Sequence, residues 1–524
     1  MAEKDQNLGK SLNEEVEEFP PFKGWHLYLF IFCMGLAIFL SFMDLSVVNI
    51  ALPDIALSFG VPLPRSIFVA QVYEIGACLI LPIFYWLSNR LGQVKFFVII
   101  LLCFIFFSFL CGIALSFEDL IIHRFFQGFF GGGIISSVTA LVALNVKKEI
   151  RVLALNCAIT AGLVASSIGP LIGGYINFHL GWRWIFFINI PLVFFCILPS
   201  LFLLKKRETK IKILPIDWKL ILLLPLFVIP FQVMLQEGQS NGWFKSDYIS
   251  TLALVSLISG ILFFYKNTRS KNPLFELHFF KNRGFSVSTV ISLLFLAAGK
   301  VVVLFFTLWP QQQLNFSSLQ TAYSLTYVNI SLFLGGGFFL FLFPYIGHRW
   351  MITISFGFFL TSLYLAMQLP LNVGPENLTP SRILFGLAAA SSVPCLTLFL
   401  VFVNKENFSR AMYINEFLEI FTAGIALSIS RWVYEARHDF YEKIFQKNLS
   451  MQNLPFAETL ETLQALGFSY LGALKWIQNM VTNQCYNLAV IDFYLIPIGM
   501  MIMTLVLAFF VPTIYKTTGK ENEI

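Results

Sequence analysis

Charge is what this sequence most lacks. Of its 524 residues, 12% are Asp, Glu, Lys or Arg, about half the roughly 25% of a soluble domain. That is too little to cover a soluble surface. The eight cysteines include no CxxC pair, and Cys33, Cys78, Cys103, Cys111, Cys157, Cys196 and Cys395 fall inside apolar stretches, with only Cys485 at an edge. They read as small core residues, not as a zinc or redox centre. The six histidines (His26, His123, His179, His278, His348, His438) are scattered, and no His/Cys cluster, nucleophile elbow or phosphate loop is present. An enzyme and a bound metal or cofactor are therefore not expected. Before the first apolar block, near Trp25, stands an acidic run with Glu14, Glu15, Glu17 and Glu18, so no signal peptide is expected. A net charge of +6 invites nucleic acid as a partner, but the basic residues sit in short loops, where membrane orientation accounts for them.

What is present is apolar sequence, recurring along almost the whole length: 57% hydrophobic residues and a mean hydropathy of +0.76. About 20 apolar residues cross the hydrocarbon core as a helix, because every backbone group must be satisfied internally there. On that unit the chain carries fourteen spans, near 25–45, 66–87, 94–115, 120–143, 152–178, 184–204, 219–236, 249–266, 285–308, 320–346, 350–369, 381–403, 411–433 and 488–513. The expected class is an all-α membrane protein. The expected layout is a tail 1–24, a six-helix half 25–204, a two-helix insertion with its loops 205–284, a second six-helix half 285–513, and a tail 514–524.

An even number of spans puts both termini on one side. If that side is cytoplasmic, the tails and inward loops hold 24 of the 35 basic residues, as the positive-inside rule requires. The one long outward loop, 434–487, carries Leu460, Leu463, Leu466, Leu471, Leu474 and Ile477 at roughly helical spacing. One or two amphipathic helices are expected there, capping the bundle, lying on the membrane or offering a docking surface. A weak repeat supports two halves: Arg124-Phe-Phe-Gln-Gly128 opens the fourth span and Arg382-Ile-Leu-Phe-Gly386 the twelfth.

A charge at the bilayer centre costs at least about 2.5 kcal/mol, so each one needs a reason. Asp44, Glu74, Arg124, Lys300, Glu416, Glu419 and Asp492 lie in or at the ends of spans. Asp44 and Asp492, near span ends, are as compatible with a paired end group as with function. Glu74, Arg124, Lys300 and Glu419 lie deeper. Buried carboxylates that take up and release protons, switched by a nearby arginine, are the chemistry a proton-coupled carrier needs. In the run Ser167-Ile-Gly-Pro-Leu-Ile-Gly-Gly174, Gly169-x-x-x-Gly173 permits close helix approach and Pro170 removes a backbone donor.

These residues carry a resemblance. Met43-Asp-Leu-Ser-Val-Val-Asn-Ile-Ala-Leu-Pro53, Trp86-Leu-Ser-Asn-Arg-Leu-Gly-Gln-Val-Lys-Phe96, Arg124 to Gly128, the Gly169–Gly174 run and Trp182-Arg-Trp-Ile-Phe-Phe-Ile-Asn-Ile-Pro191 resemble motifs of the fourteen-span drug:proton antiporters of the major facilitator superfamily, nearest the EmrB-like branch. Gln232, Gly238, Trp243, Asn272-Pro273, Phe280 to Arg283, Thr482 to Gln484, Asp492 and Phe493 extend the match to the last span. The resemblance implies the major facilitator fold in a six, two, six arrangement. It makes Asp44 and Arg124 the proton-coupling pair, Arg90 and Gly92 part of a cytoplasmic gate, and Gly169, Pro170, Gly173 and Gly174 a hinge associated with export. It also implies a periplasmic adaptor and an outer-membrane channel as partners, beside the membrane lipid and a small-molecule substrate, in a bacterial inner membrane.

The departures point to the cargo. Asn89 stands where most relatives have Asp. Glu74 follows Tyr73 where an apolar residue is usual, and Lys300 stands where an apolar or aromatic residue is expected. Thr307 replaces a proline, with Gln311, Gln312 and Gln313 behind it, and Glu419 stands where a base is common. Glu74 and Glu419 join the proton-coupling candidates. Tyr73, Glu74, Lys300, Gln311 and Glu416 are the cavity candidates, with Lys300 expected to pair with Glu419 or Glu74 or to meet an anionic group on the cargo. The leading expectation is a proton-coupled exporter of small organic molecules, driven by the proton gradient alone. A dedicated exporter of a metabolite or siderophore and a membrane scaffold or receptor are the alternatives.

Overall fold

The computed structural model describes residues 20–208, 216–369, 373–396, 398–403, 408–447, 449 and 453–512. The tail 514–524 and most of the tail 1–24 lie outside the described residues, as do Lys210, Lys212 and Lys405.

Every described secondary-structure element is helical, and the expected spans fall on helices, though not one to one. In order these are α1 Trp25–Phe59, α2 Phe68–Leu91, α3 Gln93–Gly112, α4 Phe117–Gly131 and α5 Gly133–Asn145. There follow α6 Lys148–Leu180, α7 Asn189–Leu204, α8 Trp218–Glu237, α9 Asp247–Arg269 and α10 Arg283–Gln313. The last are α11 Ser318–Met367, α12 Thr379–Leu396, α13 Phe408–Gln446, α14 Leu454–Ala465 and α15 Tyr470–Ala508. Among the described residues, eleven helices are long and apolar enough to cross a membrane. The tenth and eleventh expected spans form one helical run, α11, interrupted at Gly347, whose φ of 73° no helix accommodates.

Helix starts are chemically marked. Ser116 accepts a hydrogen bond from the Asp119 amide, with Glu118 and Asp119 in the first turn of α4. Asn282 caps α10 through the Gly284 and Phe285 amides. Ser317 and Gln320 form a capping box on α11. Each satisfies amides that a helix leaves bare, and acidic first turns suit the helix dipole.

Three helices run well past their expected spans. α1 has 35 residues, about 50 Å at 1.5 Å per residue, so Asp44 lies in mid-helix and not near an end. The 20-residue unit ended the span at 45 because Asp44 and Asn49 interrupt the apolar run, yet both sit on a continuous helix. The expected loop 434–487 is likewise mostly helical, taken up by the end of α13, by α14 and by the start of α15. There Leu460, Leu463, Ala473 and Ile477 build a small core of their own, with Leu449, Phe456, Leu474 and Val481 packed on it, while Leu466 and Leu471 face outward at 72% and 76% exposure.

The chain forms two compact units, Met1–Ile229 with Leu257–Leu274, and Pro230–Ser256 with Phe275–Ile524. The repeated Arg-x-x-x-Gly plays the same packing part in each. A Cβ added at Gly128 would stand 2.1 Å from the Tyr73 carbonyl oxygen, and one added at Gly386 would stand 2.2 Å from that of Val328. In both units a glycine four residues after a buried arginine lets two helix backbones touch.

Candidate functional site

The chemistry of the first unit converges on Asp44. Its Oδ2 accepts from Arg124 Nη1 at 2.5 Å. Its Oδ1 accepts from Asn189 Nδ2 at 2.8 Å and Gln127 Nε2 at 3.1 Å. Gln127 Oε1 in turn accepts from the same Arg124 Nη1 at 2.7 Å, and Asn189 also donates to Ser108 Oγ, whose hydroxyl donates to the Phe186 carbonyl. Asp44 and Arg124 are 2% and 0% exposed. The guanidinium lies 4.3 Å from the Tyr73 ring centroid and 5.6 Å from that of Phe186, within cation–π reach. Four helices, α1, α3, α4 and α7, and the flanking ring on α2 thus enclose one ion pair. Its carboxylate is fully engaged, but among the described residues Arg124 Nε and Nη2 have no hydrogen-bond partner.

The glycine run places α6 against this pair. A Cβ at Gly169 would stand 2.2 Å from Ser46 Oγ, and one at Gly173 would stand 2.7 Å from Val47 Cγ1. These two glycines therefore bring α6 onto the turn of α1 that follows Asp44. Pro170 and Gly174 are buried in the same helix.

Of the expected gate residues, Arg90 is exposed and lies over the Trp86 ring at 5.1 Å. Gly92 links α2 to α3 at a φ of 90°, a backbone form that L side chains rarely adopt. Directly over it sits Glu208, whose carboxylate accepts from the Val94 and Lys95 amides at 3.1 and 2.9 Å. Sequence reasoning missed Glu208, which is distant in sequence and bears no motif. It also missed Gln127 and Asn189, although each lies inside a quoted motif as an amide in an apolar stretch, and that was the available signal.

In the second unit, Asn415 Nδ2 donates to Glu419 Oε1 at 2.6 Å and Ser292 Oγ donates to Asn415 Oδ1 at 3.2 Å. Lys300 and Glu416 lie within electrostatic reach of Glu419. Three charges, Lys300, Glu416 and Glu419, therefore lie within electrostatic reach of one another on α10 and α13. Gln311 donates to the Thr307 carbonyl of its own helix at 3.3 Å. Glu74, half-buried on α2, belongs to the first unit. Asp492, in the middle of α15 and not at a helix end, is paired, accepting from Arg437 Nε at 2.5 Å and from the Tyr441 hydroxyl at 2.8 Å.

Long apolar helices that hold a fully buried ion pair and a second charged cluster define a membrane transporter, since charge inside the membrane is kept for moving ions or solutes. The chain belongs to the Major Facilitator Superfamily, whose model matches residues 34–415, and it is a transporter rather than an enzyme. It is similar to the multidrug export protein EmrB of Haemophilus influenzae, 28% identical over 96% of this chain and 99% of that one. It is also similar to the fatty acid resistance protein FarB of Neisseria gonorrhoeae, 27% identical over 89% and 92%. Among solved structures, a crystal structure of the peptide transporter POT in complex with sulfate matches with a TM-score of 0.60 at 14% identity, covering 93% of this chain and 97% of that one. That likeness shows the fold.

Proposed function

We propose that this protein is a multidrug exporter of the bacterial inner membrane, expelling small organic molecules in exchange for protons that bind at Asp44. The observation that carries the reading is the buried Asp44–Arg124 pair, supported by near full-length similarity to a protein named for multidrug export. With Asp44 ionised, the pair is closed and the Gln127 and Asn189 amides hold the second carboxylate oxygen. Protonation removes the charge that compensates Arg124, and an uncompensated buried charge costs roughly 3–5 kcal/mol. Proton uptake thus drives Arg124 towards a new partner and α4 away from α1, while proton release restores the pair. One proton crossing about 100 mV supplies roughly 2.3 kcal/mol, before any pH gradient.

The other assignments belong to the same reading. Fourteen spans in a six, two, six arrangement put both termini in the cytoplasm, with Arg90 and Gly92 in an inner gate braced by Glu208. Gly169, Pro170, Gly173 and Gly174 form the hinge of α6. Glu419 and Glu74 assist proton transfer, and Lys300, Glu416, Gln311 and Tyr73 contact cargo. A periplasmic adaptor and an outer-membrane channel carry the cargo onward. No cofactor is required. Inverted membrane vesicles test the reading: acidifying the lumen should drive drug uptake in the wild type and not in Asp44→Asn, and gradient-driven uptake by Asp44→Asn would overturn it.

A further inference from the structure

The second unit holds an arginine that repeats Arg124 in position but not in pairing. Arg382 is 1% exposed and is held by apolar and neutral groups. Its guanidinium lies 3.4 Å from the Phe306 ring centroid, and Nη2 donates to the Phe306 carbonyl at 3.4 Å. Among the described residues Nε has no hydrogen-bond partner, and no carboxylate forms an ion pair with Arg382. Where the first unit sets Asp44 of α1 against its arginine, the second offers the backbone and a ring of α10 and the neutral Tyr494 phenol of α15. A buried cation without a counter-charge is costly, and a ring with a long hydrogen bond offsets only part of that cost.

Arg382 also lines a cavity of about 330 Å³. Beside it stand Gln484 and Asn487. Asn487 Oδ1 is occupied by the indole N–H of Trp309 at 3.2 Å, which directs the Asn487 amide to act as a donor. Met367 and Leu488 supply apolar wall. A cation, two amides and an apolar lining suit one kind of occupant. We infer that this cavity is a binding site for an amphipathic oxyanion, a carboxylate or phosphate carried on an apolar chain, with Arg382 as its counter-ion and Asn487 as a second donor. The shared chemistry has two sources, an anionic lipid headgroup or a free amphipathic acid. The site is independent of proton coupling at Asp44, so it is read out as binding without a gradient.

The test uses the full chain in phosphatidylcholine nanodiscs and dodecanoate brominated in mid-chain, which quenches nearby tryptophan. Saturable quenching is expected in the wild type and should be lost in Trp309→Phe. The matched brominated alcohol, and the acid on Arg382→Gln, should each bind roughly ten- to a hundredfold more weakly, as expected for loss of a charged hydrogen bond. Equal binding of acid and alcohol by the wild type would overturn the inference, as would absence of quenching, quenching that persists in Trp309→Phe, or unchanged affinity in Arg382→Gln. If Arg382→Gln does not assemble, the acid and alcohol on the wild type decide alone. Adding phosphatidylglycerol identifies the source: displacement of the acid assigns the site to a headgroup, and its retention assigns the site to free acids.

Discussion

At Asp44 the two carboxylate oxygens do different work. Oδ2 carries the charge partner, while Oδ1 is held by two amides that donate whether or not Arg124 stays. Asp44→Asn should therefore abolish coupled transport and also destabilise the protein by roughly 3–5 kcal/mol, because Arg124 is left charged and buried. Asp44→Asn combined with Arg124→Gln should recover much of the lost thermal stability without recovering transport. If the double variant is no more stable than the single one, the uncompensated charge is not the cause. Lys300 presents the converse case, a cation within electrostatic reach of Glu419, whose carboxylate accepts from Asn415. Lys300→Ala should change which cargoes are exported while leaving proton binding at Asp44 intact, measured by resistance across a panel of lipophilic cations and anions.

The charges inside the helices were legible from the sequence, because ionisable residues are rare in apolar runs and each demands a reason. Their partners were less so. Gln127 and Asn189 are neutral amides, cheap enough in a membrane helix to pass for packing, and Glu208 acts over a separation of more than a hundred residues. The position of Asp44 was also misplaced, because a hydropathy window ends where polarity begins and a helix does not.

Among the helices, close approach is set by a few glycines. Ala in place of Gly128 or Gly386 would put a methyl group about 2 Å from a neighbouring backbone carbonyl, and backbone cannot yield as a side chain does. Each substitution should destabilise by roughly 1–3 kcal/mol, read as a lower melting temperature, whereas Ala at Gly336, where nothing lies within 4 Å, should not. Helix ends carry their own contributions. Glu208 caps α3 from the segment that follows α7, and Glu208→Gln should loosen the α2–α3 turn at a cost of about 1 kcal/mol, seen as faster hydrogen exchange at the amides of Val94 and Lys95. At the start of α8, burial pulls the Asp217 carboxyl up, but the Lys266 ammonium, the Lys219 amide and the Ser270 hydroxyl outweigh it and hold the group below its usual range. Its contribution to stability is then present above the ordinary carboxylate pKa and lost as the pH falls through the lowered value. In Asp217→Asn that part of the acid sensitivity should vanish.

For the molecule as a whole, the helical architecture was the most legible feature, since lipid permits few alternatives to a bundle of long apolar helices. The two units share a repeated arginine and glycine, yet one pairs its arginine with an acid and the other does not. On the proposed reading, that asymmetry places the proton switch at Asp44 and Arg124 of the first unit. The most direct test of this account reconstitutes the purified protein in liposomes with a trapped pH dye and adds candidate cargoes, from lipophilic cations and anions to siderophores. The wild type should move protons when, and only when, a transported cargo is added, and Asp44→Asn should bind cargo without moving protons. Cargo-dependent proton flux that survives in Asp44→Asn would contradict it.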